Sequence, residues 1–398
     1  MRVSTSLINQ RAVNGMLDQQ AKLSQLQTQI SSGKKIISPS DDPIGSAKAL
    51  NIDQSISVTG QYQRNSDMAT TRLQLEDNIL SNVSLVLNRA RELAIQGNNS
   101  ATTDNDRSLL ATELRQRLDE LLSLANTRDT NGEYIYSGFQ VQNQPFSLQA
   151  TGGFTYSGDD GHRMIQISPS RTISMGNTGR DVFMEVRNGN GKFSVAANDA
   201  NLGSGVIDGG TLVNGSSWIK DNYSITFVSD TVYEVRDGAG VVIHSSAYVE
   251  GSSIAFNGIN TNIKGKPVSG DEFSITPSAN QDVFTTVNNL INAFENTSSA
   301  AGQTAALNNS INSFLNDMDM ALDNVLTYRS SVGVRLNVLE SQKDINEGKI
   351  INNYSTLSEI RDIDYIQAIS DLNLQQVGLE SAQKAYMRIQ GLSLFNYL

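Results

Sequence analysis

The stretch Leu357–Leu398, LSEIRDIDYIQAISDLNLQQVGLESAQKAYMRIQGLSLFNYL, decides how this chain is read. Tyr365, Leu372, Leu379 and Tyr386 recur at seven-residue intervals, and Ala368, Gln375, Ala382 and Ile389 follow each of them by three. That spacing is the a/d repeat of a helix that winds around another helix. The seam is thin, because Ala and Gln hold half of it and bury little area, so such a helix is marginal alone. The start of the chain supplies a matching strand: Met16, Leu23 and Ile30 also fall seven apart, with Ala12 and Leu26 at intermediate seam positions. Two chain ends that both read as weak coiled-coil strands predict a subunit whose ends order on its neighbours.

Composition narrows the class. At 398 residues the chain is long enough for two or three domains. A hydrophobic content of 38% and an aromatic content of 6% favour long helices with narrow apolar stripes over one thick core. The 30 Lys and Arg against 41 Asp and Glu leave a net charge of −11, which disfavours nucleic acid as a partner because phosphate contacts need cations. No apolar run approaches the roughly 20 residues that cross a bilayer, so no membrane partner is expected. The N-terminus MRVSTSLINQ has no apolar core segment or cleavage site of a secretory signal, which by default means cytoplasm. The absence of cysteine is compatible with either side of the envelope.

Along the chain, the pattern predicts a first helix over about 3–30, stopped at Ser31-Ser32-Gly33. Between Lys34 and Ala47, Pro39 and Pro43 forbid a continuing helix, and Asp41 and Asp42 between them favour a side-chain-bonded turn that caps the next helix. A very long helix is expected over about 46–96, with the stripe Leu75, Ile79, Val83, Val86, Ala90 and Leu93. Asp104 reads as the cap of a third helix, whose stripe is Leu110, Leu114, Leu118, Leu121 and Ala125. At Asn131-Gly132 the period changes from 3.6 to 2, and short β runs continue to about Pro277. Glycine-rich breaks at Asn188–Gly191 and Leu202–Gly210 suggest two small β units there, and Asp237-Gly238-Ala239-Gly240 marks a hairpin. Helices return with the stripe Val283, Val287, Leu290 and Phe294, then Leu307, Ile311, Phe314, Met318, Ala321 and Val325. The expected fold is therefore α+β: an elongated helical bundle built from both chain ends with an inserted, mainly β outer region. We divide it into terminal coiled-coil segments 1–44 and 358–398, a bundle of 45–135 with 278–357, and the β insertion 136–277.

No constellation for chemistry appears. Asp41 and Asp42 lie between prolines in a Ser-rich turn and read as capping groups and not as an acid–base pair. Gly33-Lys34-Lys35 lacks the upstream glycine and following hydroxyl of a phosphate loop. With His162 and His244 as its only histidines and no cysteine, the chain offers no zinc ligand set. Gly158-Asp159-Asp160-Gly161 could hold calcium weakly, though a solvated hairpin loop is the better reading. No catalytic residue, cofactor or metal is expected. Arg329, Arg335 and Glu340 are read either as a solvated helix face or as charges that set register between subunits. The apolar cluster Ile389, Leu392, Leu394, Phe395, Tyr397 and Leu398 sits at a chain end with no core to cover it, which marks a binding surface.

Several of these residues resemble the flagellin superfamily, and more closely its hook-associated protein 3 branch, which forms hook–filament junctions. The resemblance rests on Gln29-Ile30-Ser31-Ser32-Gly33-Lys34-Lys35 with Ser40-Asp41-Asp42-Pro43, then on Tyr328–Asn337, on Ser358–Tyr365 with Gln375-Gln376, and on the terminal Ile389–Leu398. Gly265–Ile275 in the β region is similar to a segment of flagellar hook-associated proteins. It implies an inner coiled-coil layer made by both termini, export through the flagellum's own channel without a cleaved signal peptide, and an extracellular location in the flagellum. The implied partners are hook-associated protein 1, flagellin, neighbouring copies and an export chaperone. Filament flagellin itself is the near alternative, and a secreted adhesin or enzyme carried on the β region a distant one.

Overall fold

A computed structural model describes residues 5–149, 152–213, 218–296 and 301–391. Six α-helices are present among them: α1 (Thr5–Ser32), α2 (Pro43–Gly97), α3 (Asp104–Ala125), α4 (Val283–Asn296), α5 (Ala301–Arg361) and α6 (Tyr365–Gly391). The chain divides into two compact units, Met1–Arg64 with Ser341–Leu398, and Asn65–Glu340. The division falls inside α2 and α5, where the sequence reading instead separates terminal segments, bundle and β insertion.

Two helix starts differ from expectation, each for a capping reason. α2 begins at Pro43 and not near Ser46, because Asp42 Oδ1 accepts from Ile44 N at 3.1 Å and Gly45 N at 2.9 Å. Proline then occupies the first helical position, where its missing N–H costs nothing. The cap of α3 is Thr103 and not Asp104: Asp106 N donates to Thr103 Oγ1 and Thr103 N donates back to Asp106 Oδ2, a reciprocal capping box.

In the unit Asn65–Glu340, the predicted stripes of α2, α3, α4 and α5 converge on one core. α2 is covered on a second face as well, since Leu73, Leu80, Leu87 and Ala94 are fully buried. The first part of the β region completes this core. It holds β1 (Phe146–Leu148), β2 (Phe154–Tyr156), β3 (Met164–Ser168), β4 (Arg171–Ser174) and β5 (Val186–Arg187), with a π-helical turn at Arg180–Met184. Phe146 lies 5.4 Å from Phe183 and 5.1 Å from Phe284 by ring centroids, and Tyr136 meets Phe183 edge-on at 5.1 Å. These rings correct the expectation of narrow stripes alone: loop, π-turn and α4 bring scattered aromatics into one cluster, where edge-to-face contact adds to burial.

The rest of the β region has its own core. Its strands are β6 (Phe193–Ala197), β7 (Val206–Ile207), β8 (Thr211–Leu212), β9 (Tyr223–Ser229), β10 (Val232–Arg236), β11 (Val242–Ala247), β12 (Ser253–Phe256), β13 (Ile259–Lys264) and β14 (Glu272–Pro277). A five-stranded sheet in the order β11-β10-β9-β14-β6 and a smaller sheet β12-β13-β7 enclose Phe193, Ile225, Phe227, Val235, Ile263 and Phe273. Strands alternate in burial, as Tyr223, Ile225 and Phe227 do along β9. α5 holds this part through side-chain amides that mimic a strand edge: Asn309 Oδ1 accepts from Ile207 N at 2.9 Å and its Nδ2 donates to Gly205 O at 3.0 Å. About one helical turn further, Asn312 Nδ2 donates to Ile207 O at 3.3 Å, and about two turns further Asp317 accepts from Gly189 N at 2.6 Å. β15 (Asn280–Gln281) pairs with β5 and leads back into α4.

Candidate assembly surface

Within the unit formed by the two chain ends, α1 and α6 lie against each other. Ala12, Met16, Leu23, Leu26 and Ile30 of α1 are half-buried, while their neighbours on the other faces are exposed. Facing them, Ala368 is buried and Leu372, Gln375, Leu379 and Tyr386 are half-buried. Gln19, absent from the heptad reading, is the polar layer of this pair: its Nε2 donates to Gln375 Oε1, and Gly378 leaves the room it occupies, since a Cβ there would stand 2.9 Å from Gln19 Nε2. One such polar layer costs stability and fixes register. Ala382 is exposed, and Tyr365 is half exposed because its hydroxyl lies over Gly33. The side chain of Ile389, and residues Leu392, Leu394, Phe395, Tyr397 and Leu398 altogether, lie outside the described residues.

The face of α6 that the heptad reading passed over is its more informative one. Ile366 is 86% exposed, Leu374 70%, Val377 64% and Met387 63%, with Ile369 beside them. At about 100° per residue these side chains centre roughly 130° from the Ala368–Leu372–Leu379 seam. α6 is thus apolar on two separate faces, and α1 covers one of them. Read as a helical wheel and not as a heptad, the sequence contains this second stripe.

The breaks between helices are tied together and do not swing freely. Lys35 N donates to Arg361 O at 2.7 Å and Ile363 N donates to Gly33 O at 3.0 Å, so the turn after α1 and the turn before α6 form a short antiparallel bridge. Gly33 has φ +70°, and a Cβ there would stand 3.0 Å from the Tyr365 hydroxyl, so a side chain would be strained by the backbone and crowded by that hydroxyl. Asp41 turns back toward α1, accepting at Oδ2 from Ile37 N at 3.1 Å and Ser38 N at 2.9 Å, and at Oδ1 from Gln25 Nε2 at 3.2 Å. Pro39 and Pro43 bracket this turn. Asp364 caps α6 as Asp42 caps α2, accepting from Ile366 N at 2.9 Å and Gln367 N at 3.2 Å. The hinge read from the prolines is therefore one strand of a two-stranded elbow.

Two charges of α5 are engaged inside the unit Asn65–Glu340. Arg329 pairs with Asp77 at 3.0 Å, Arg335 donates to Asn177 Oδ1 at 2.9 Å, and Glu340 is exposed, as on a solvated helix face. Behind Arg335, Glu76 is fully buried. Asn177 N and Nδ2 donate to Glu76 Oε1 at 3.1 and 2.7 Å, while Oε2 has no hydrogen-bond partner. Burial pushes the Glu76 carboxyl up to about 7, against the opposing pull of Arg335, the Asn177 bonds and Arg72. Arg72 itself pairs with Asp129 at 2.8 Å. In the Asp159-Asp160 loop both carboxylates are engaged: Asp159 Oδ1 accepts from Phe139 N and Gly161 N, and Asp160 pairs with Arg180 at 2.6 Å. Protein groups thus hold one oxygen of each carboxylate in that loop.

Comparison with known proteins agrees with this arrangement. Residues 3–141 match the bacterial flagellin N-terminal helical region. The flagellar hook-associated protein 3 of Escherichia coli (strain K12) is 27% identical over 395 residues, covering 99% of both chains. The crystal structure of flagellar hook-associated protein-3 from Legionella pneumophila is 33% identical and superposes with a TM-score of 0.75 over 78% of this chain and 98% of that one. Xanthomonas campestris FlgL is 30% identical with a TM-score of 0.73, over 77% of this chain and 99% of the other. Flagellins match a smaller share, 42% of this chain for the Listeria innocua protein. Helical chain ends that pair with each other and leave an apolar face open, attached to a flagellin-type helical region, define a flagellin-like assembly protein. Within that class, the chain belongs to the flagellar hook-associated protein 3 family.

Proposed function

We propose that this protein is the structural adaptor that joins the flagellar hook to the filament, and that it does so without catalysing a reaction. The observation that carries this reading is α6, whose outer stripe of Ile366, Ile369, Leu374, Val377 and Met387 is exposed in the single chain. An exposed apolar stripe of this kind marks an interaction surface. Neighbouring copies cover it within the ring. Hook-associated protein 1 and flagellin meet the two ends of that ring. Met16, Leu23, Leu26, Ile30, Leu372, Leu379 and Tyr386 hold α1 to α6 so that the outer stripe is presented. The residues from Ile389 to Leu398 bind neighbouring subunits in the flagellum and an export chaperone before secretion. Export proceeds through the flagellar channel without a cleaved signal, leaving the protein outside the cell. A strain lacking the gene should build hooks and shed flagellin into the medium without holding filaments. Filaments of normal length in that strain would overturn the reading.

A further inference from the structure

A cavity of about 240 Å³ lies between the β6 edge of the five-stranded sheet and the helices α4 and α5. Its wall carries two carboxylates, Asp199 and Asp317, and no Lys, Arg or His. Leu290, Ala306 and Phe314 give it an apolar side, and Ser313 adds a hydroxyl. Asp317 is buried and Asp199 is exposed, so one carboxylate stands at the floor and the other at the mouth.

Other buried charges of this unit are answered by protein groups. Arg72 pairs with Asp129 at 2.8 Å, and Arg107 with Asp104 at 3.4 Å. Asp271 accepts from three backbone N–H groups, those of Leu202, Gly203 and Val268. Asp317 is provided for less fully. Its Oδ1 accepts from Gly189 N at 2.6 Å and its Oδ2 from Gln281 Nε2 at 3.2 Å, and among the described residues no cation pairs with it. A carboxylate offers about four acceptor positions, so roughly two remain on the side of the cavity. Burial pushes this carboxyl up, against the pull of the Gly189 and Gln281 bonds. A buried charge with no counter-charge is costly, and the cavity is where one can enter.

We propose that this cavity binds a short aliphatic diamine, with one ammonium on Asp317 and the other on Asp199. An ammonium brings three N–H donors with its charge, so it supplies both things that Asp317 lacks. The methylenes between the two ammonium groups lie along Leu290 and Phe314, as a lysine stem lies along apolar surface. An anion would find no cation in the wall. A metal ion would find too few ligands, since no group of three His, Cys, Asp or Glu able to hold one occurs among the described residues. The site uses none of the residues on which the adaptor reading rests.

Putrescine (1,4-diaminobutane) added to the full-length protein should raise its melting temperature with concentration, and more than magnesium chloride at equal ionic strength does. By calorimetry, Asp317→Asn should weaken putrescine at least roughly tenfold, because it removes the buried partner. Asp199→Asn removes an exposed partner and should weaken it only about two- to fivefold. Butylamine, which has one ammonium, should bind the wild type and Asp199→Asn alike. Ser313→Leu fills the cavity without removing either Asp317 bond and should abolish binding, which keeps the test open if Asp317→Asn folds poorly. Magnesium that stabilises the protein as well as putrescine does would overturn the proposal. So would a Ser313→Leu variant that binds putrescine as the wild type does.

Discussion

α2 between Ala69 and Ala94 and α6 between Tyr365 and Gly391 are helices of one chain with opposite packing. The first buries two faces: Leu73, Leu80, Leu87 and Ala94 on one, Ile79, Val83, Ala90 and Leu93 on the other. In α6 only Ala368 falls below a tenth exposure among the seam residues, and the outer stripe lies open. Both helices are amphipathic by sequence. What differs is the supply of cover: α3, α4, α5 and an aromatic cluster close around α2, whereas α6 has only α1 and a seam diluted by Gln19, Gln375 and Ala382. Helices gain most of their stability from packed faces. One region therefore folds for itself, and the other is built for something outside the chain.

This contrast is broken most severely at the aromatic cluster. Phe183→Ala removes a fully buried ring between Tyr136, Phe146 and Phe284 and should cost about 3–5 kcal/mol. Thermal melting should show it as a large drop in the main transition, and a small drop would mean the cluster is not the centre of that unit.

Glu76 comes next. Its folded-state carboxyl lies at about 7, above its ordinary value of 4.5, so the folded state binds the proton more tightly than the unfolded one. Stability from this group is full below pH 4.5 and is lost as pH rises through 7, a swing of roughly 3 kcal/mol at 1.36 kcal/mol per unit. Glu76→Gln should flatten urea midpoints between pH 5 and pH 8 and raise the midpoint at pH 8. An unchanged slope would show that Arg335 and Arg72 keep Glu76 ionised when folded.

A smaller effect belongs to the elbow. Asp42→Ala removes the acceptor for Ile44 N and Gly45 N and should cost about 1 kcal/mol, read as faster amide exchange at the start of α2. Asp41→Ala should instead loosen the Ile37–Ser38 turn while α2 keeps its protection. If both variants exchange alike, the two carboxylates do not have separate roles.

The sequence carried the single-face stripes well, because Leu110 to Ala125 or Leu307 to Val325 repeat at intervals that leave one interpretation. The second faces of α2 and of α6 are in the sequence too, but on another line of the helical wheel from the first stripe. Thr103 and Asp104 are adjacent and both good caps, so only geometry separates them. Arg335, Asn177 and Glu76 come from distant segments, as do Phe146, Phe183 and Phe284. No local period reports such meetings.

The central claim is that α6 keeps one apolar face for its own chain and one for its neighbours. The most direct measurement is filament retention in a deletion strain complemented with Ile366→Ser and Val377→Ser together, alongside the melting curve of the purified variant. The account predicts an unchanged main transition, because both side chains are exposed, and hooks that shed flagellin. Normal filaments from that variant would contradict it.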